Sequence, residues 1–99
     1  MPGKIPPRRQ LAEEYLSKAI SREVEGLATY GDFVPQTDTR VLSSEAIDEC
    51  VDILNYMRFY EKKYGKSIEV TAIKRLAFKL YVELRRLELE ETRKKGGGA

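Results

Sequence analysis

The densest chemistry in the sequence is a row of four carboxylates. Glu45, Asp48, Glu49 and Asp52 stand at i, i+3, i+4 and i+7, which places all four on one side of a helix over two turns. Like charges at this spacing repel by roughly a few tenths of a kcal/mol per pair, so the row calls for compensation. Mg²⁺ is one natural compensator, because it takes oxygen ligands from one or two carboxylates, water and substrate phosphates. A metal so held orients a phosphate chain and activates water for attack on it. Toward the C-terminus the same ridge continues as Asn55, Tyr56, Phe59 and Tyr60, offering an amide and rings on which a base can stack. Arg40, upstream, has the planar fork that grips phosphate oxygens. A plainer reading stands beside this one. Acidic residues in a first helical turn meet the positive end of the helix dipole, which accounts for Glu45, Asp48 and Glu49 without any metal. Aromatic residues at helical spacing commonly serve packing.

Other chemistries are excluded by composition. The 99 residues contain no histidine and one cysteine, Cys50. That removes the Ser-His and Cys-His machines, an internal disulfide framework and a Cys-rich zinc site. Catalysis, if present, rests on carboxylates, Lys, Arg or Tyr. Cys50 falls among apolar neighbours and reads as a small core residue. No apolar run exceeds three residues, so a transmembrane helix is excluded. The opening Met-Pro-Gly-Lys-Ile-Pro-Pro-Arg-Arg lacks the apolar stretch of a signal peptide, and a cytoplasmic location is expected. Net charge is only +2, below what a polyanion binder usually carries. Basic clusters at Lys4/Arg8/Arg9, Lys62/Lys63/Lys66 and Lys74/Arg75/Lys79/Arg85/Arg86 are available for nucleic acid. The third helix, however, also holds Glu69, Glu83, Glu88, Glu90 and Glu91, as an ordinary solvated helix does.

Three helices must position these residues. A proline-rich basic arm over 1–8 precedes a single all-helical domain over 9–95, and 96–99 form a disordered glycine-rich tail. Ala12, Leu16, Ala19, Ile20, Val24 and Leu27 share one face of a first helix that Gly31 stops. Residues 31–43 have no period and read as an ordered loop, long enough to suggest a function. The second helix starts near Ser43 or Ser44, either of which can cap it, and ends before Gly65. On it, Ile47, Cys50, Val51, Leu54 and Met57 face a core. The third runs from near Ser67 to about Arg93, roughly 40 Å at 1.5 Å per residue.

The third helix carries two apolar stripes. Ile73, Leu76, Ala77, Leu80, Leu84 and Leu87 make one, which suffices to bury the helix in its own domain. Phe78, Val82 and Leu89, with Tyr81 between the two, make another that a monomer would leave in water. Three helices also make a thin core. The expectation is a homodimer or higher bundle assembled through Phe78, Tyr81, Val82 and Leu89. A central third helix covered on both sides by the other two is the alternative.

Glu49-Cys-Val-Asp52, followed by Ile53-Leu54-Asn55-Tyr56, resembles the second acidic motif of the all-α nucleoside triphosphate pyrophosphohydrolases, the MazG-like superfamily. The preceding Tyr30-Gly-Asp-Phe-x-Pro-x-Thr-Asp-Thr-Arg40 is similar to a loop in small phage and prokaryotic proteins that carry such a helix. The resemblance implies a helical oligomer that binds Mg²⁺ through Glu49 and Asp52 and cleaves nucleotides between the α- and β-phosphates. Arg40, Asn55, Tyr56 and Phe59 would contact the nucleotide. Family members add a Glu-x-x-Glu on the preceding helix. Here Glu13 is followed three residues on by Leu16, Glu14 by Ser17 and Glu23 by Gly26. That leaves either a modified site drawing on Glu45 or Asp48, with Glu13 or Glu23 turned inward, or a helical adaptor without the chemistry.

Overall fold

The computed structural model describes residues 4–31 and 33–97. Among them it contains three α-helices and no strand: α1 (Arg8–Tyr30), α2 (Leu42–Tyr64) and α3 (Ile68–Gly97). The all-α class and the long C-terminal helix are as expected. Where the tail was to begin, α3 continues through Gly97; Gly98 and Ala99 lie outside the described residues. By contacts the residues group into two compact units, Met1–Asp38 and Thr39–Ala99.

Two glycines stop helices for one physical reason. Gly31 (φ 83°, ψ −171°) and Gly65 (φ 89°, ψ 175°) occupy a region of backbone space essentially closed to side-chain-bearing residues. Each returns its N–H to the helix it ends, Gly31 to the Leu27 carbonyl at 3.0 Å and Gly65 to the Glu61 carbonyl at 2.8 Å. In the first unit, α1 leaves Leu16, Ile20, Val24 and Leu27 exposed. Its surface pairs Arg9 with Glu13 at 3.8 Å and Lys18 with Glu14 at 3.4 Å, both one turn apart. Glu13 is thus paired at the surface rather than turned inward. After α1, Val34 accepts backbone N–H bonds from Thr37 and Asp38, each at 3.1 Å, closing a tight turn around Pro35 and Gln36.

The second unit is an antiparallel hairpin of α2 and α3, shown by which residues meet: Ser43 with Glu91, Cys50 with Ala77, Glu61 with Lys74. Ser67 caps α3, its hydroxyl accepting the Val70 N–H at 3.1 Å. Down α2 the seam reads Ser43, Ile47, Cys50, Leu54, Met57, Glu61. Down α3 it reads Val70, Lys74, Ala77, Tyr81, Leu84, Glu88, Glu91. Both alternate steps of three and four, the spacing of a coiled-coil seam. All are buried or half-buried except Leu54 and Tyr81, which edge a groove. Ile47, Cys50, Val70 and Ala77 are the buried hydrophobic residues, and the Cys50 thiol donates to the Ala77 carbonyl at 3.2 Å.

This seam differs from the expected one. Of the stripe read as core on α3, Ala77 is 8% exposed, but Leu76 is 64% exposed and Ile73, Leu80 and Leu87 are also open. The rotation of α3 is set at its ends by polar partners, Glu91 on the start of α2 and Lys74 on Glu61 at 2.9 Å. Those pairs turn Leu76 and Leu80 to one flank. Capping of α2 is likewise corrected. The cap position is Val41, with no side-chain cap, because Ser43 and Ser44 lie inside the first turn. Both serine hydroxyls donate across to α3 instead, Ser43 to Glu91 and Ser44 to Glu88.

Candidate functional site

Each sequence-predicted residue on α2 is presented by a regular helix, so its placement follows from its position. Glu45, Asp48, Glu49 and Asp52 sit on the side of α2 turned away from α3, and all four are exposed. No cluster of three or more acidic or cysteine side chains among the described residues is close enough together to hold a metal ion. Tyr56 and Phe59 are exposed a turn or two further along, with Asn55 half-buried. Arg40 precedes α2, and the helical rise between 42 and 56 is about 20 Å, so Arg40 and the rings lie at opposite ends of the ridge. The acidic row is real as a row. The structure does not gather it into a pocket.

The structure instead gathers residues in two other places. One is the open end of the hairpin. The Glu91 carboxylate accepts the Leu42 N–H at 2.7 Å, the Ser43 N–H at 2.8 Å and the Ser43 hydroxyl at 2.7 Å. It thereby satisfies two of the amides that every helix start leaves without a partner, and brings negative charge to the positive end of the α2 dipole. The Ser43 hydroxyl is the main cause that holds the Glu91 carboxyl below its ordinary range. The Ser43 and Leu42 amides add to it, Lys95 contributes, and desolvation opposes. Beside it Glu88 accepts from Ser44 and pairs with Arg85, while Lys95 donates to the Thr39 carbonyl. The sequence signal was present: Glu88 and Glu91 fall at seam positions in register with Ala77 and Leu84, where a carboxylate needs a partner.

The other place is a groove of about 420 Å³ along one flank of the hairpin, lined by Cys50, Val51, Leu54, Lys74, Ala77, Phe78 and Tyr81. Three of the residues expected at an oligomer contact, Phe78, Tyr81 and Val82, lie in it or one turn from it, and Leu89 lies further along the same side of α3. Phe78 is 67% exposed and Leu89 71%, while Val82 is half-buried. On the opposite flank Ile53, Tyr60, Ile73, Leu76, Leu80 and Leu87 are exposed together. Most of the large residues of both α3 stripes therefore face outward, on either side of a seam that takes Ala77 and Leu84. Chemically this surface offers apolar and aromatic area rimmed by Lys74 and Arg58, with a half-buried ion pair beneath it. No protein-family model matches this chain, and no curated protein or solved structure does.

Proposed function

We propose that this chain is a non-catalytic helical self-association module whose α2–α3 hairpin is the pairing unit. One observation carries the reading: the hairpin buries Ile47, Cys50, Val70 and Ala77 but leaves large apolar side chains exposed along both flanks. Fully burying a Leu or Phe side chain is worth about 1.5–3 kcal/mol, so covering either flank supplies ample driving force. Contiguous apolar patches of this kind mark interaction surfaces.

Sedimentation equilibrium across a concentration series tests it. The wild type is expected to gain mass with concentration, and Phe78→Glu to shift the curve toward monomer while helical circular dichroism stays unchanged. A wild-type monomer at every concentration would overturn the reading. Calorimetry with Mg²⁺ supplies the contrast with the nucleotide role that the acidic-motif resemblance implies. Self-association alone predicts no binding heat. Heat that disappears in Asp52→Ala would favour the nucleotide role through Glu49 and Asp52 instead.

A further inference from the structure

Resting on that self-association reading, we infer that the groove flank takes a second copy of the hairpin head to tail. In this arrangement α2 lies antiparallel on the partner's α2. The face of α2 that carries the groove residue Val51 continues along the helix as Asp48, Val51, Asn55, Arg58 and Lys62, a row in alternating steps of three and four beside the groove. Read along the helix it runs acid, apolar, amide, base, base. A two-fold axis at Asn55 maps Asp48 onto Lys62 and sets the Val51 side chains near Arg58, so the row complements its own reversed copy. The neighbouring charges follow the same polarity. The open half of the hairpin, 42–55 with 82–97, holds eight acids against five lysines and arginines, whereas 57–81, the turn half, holds seven lysines and arginines against Glu61 and Glu69.

The opposite orientation, turn beside turn, would place that basic half against itself. Like charges facing each other across an interface suppress a pairing, and opposite charges fix its register. The sign changes between Asp52 and Arg58, beside the groove residues Val51 and Leu54. An antiparallel pair centred there covers Phe78 and Tyr81 and matches charge at both ends.

Charge reversal in mixed copies tests orientation apart from association. Asp48→Lys alone and Lys62→Glu alone are each expected to weaken self-association about tenfold. An equimolar mixture restores wild-type affinity, because the lysine introduced in one copy then meets the glutamate introduced in the other, while the native Asp48 and Lys62 pair at the second contact. High salt weakens the wild-type pair, since exposed charges are screened within about 10 Å at 0.1 M. In a second readout, spin labels at Lys66→Cys in a Cys50→Ala background report the distance between the two turns. Head-to-tail pairing puts them about 30 Å or more apart, the scale set by the length of α2. Single variants that associate as the wild type does, or labels within about 15 Å at turns brought side by side, would overturn the orientation and leave self-association standing. A wild-type monomer, whether another segment of the chain or a different partner covers the groove, would overturn both.

Discussion

Glu91 does at a distance what a capping residue does locally. Its carboxylate holds the Leu42 and Ser43 amides and the Ser43 hydroxyl, joining the start of α2 to the far end of α3. Because these bonds favour the ionised form, the folded-state pKa is lowered. The stabilisation is therefore fully present above the ordinary glutamate value of about 4.5 and is lost as pH falls through the lower folded value. Urea melts from pH 7 downward are expected to show wild-type stability dropping below that point. Glu91→Gln should start less stable at neutral pH and lose less over the same window. An unchanged pH profile would contradict the role. The position of Glu91 signals that it needs a partner, but no local rule names that partner, which lies 48 residues away. The serines looked like caps in sequence, but they stand two and three positions past the cap residue Val41.

At the scale of elements, the stops were legible and the rotation was not. Gly31 and Gly65 end α1 and α2 where the sequence placed them, since a backbone with φ above 80° admits little but glycine. Gly65→Ala meets no side-chain clash, as open space surrounds the position. The cost is backbone strain alone, expected at about 1–3 kcal/mol by chemical denaturation. Ser67→Ala removes the cap of α3 and should cost about 1 kcal/mol in the same assay. The face that α3 turns to α2 could not be read, because two similar apolar stripes compete and polar pairs decide between them. Ala77, the smallest residue of its stripe, is the one buried, while Leu76 beside it stays open. The acidic row on α2 was legible as a face, and its four residues are exposed. What neither spacing nor charge conveyed was whether another element would bring carboxylates to meet it.

At the scale of the whole chain, the Thr39–Ala99 unit has too little buried apolar surface to stand as an ordinary core. The described residues include no large side chain that is fully enclosed. Two helices joined by a three-residue turn can enclose only the strip between them, and each flank stays open. Small folds usually make up such a deficit with a metal, a disulfide or a partner chain. Here the single cysteine rules out an internal disulfide, and the second copy proposed above would supply a partner chain. Replacing Leu76 on the far flank with Glu is expected to leave pairing through the groove intact while lowering any higher assembly, seen as a change in mass above the dimer.

Stability and association should then be one equilibrium, since whatever binds only the folded form raises its melting temperature by mass action. The most direct measurement is the thermal midpoint by circular dichroism over a hundredfold range of protein concentration. A midpoint that climbs with concentration, and climbs less in Phe78→Glu, is the predicted result. A midpoint that is the same at both ends of the range would contradict the claim that the hairpin completes its core with a second copy.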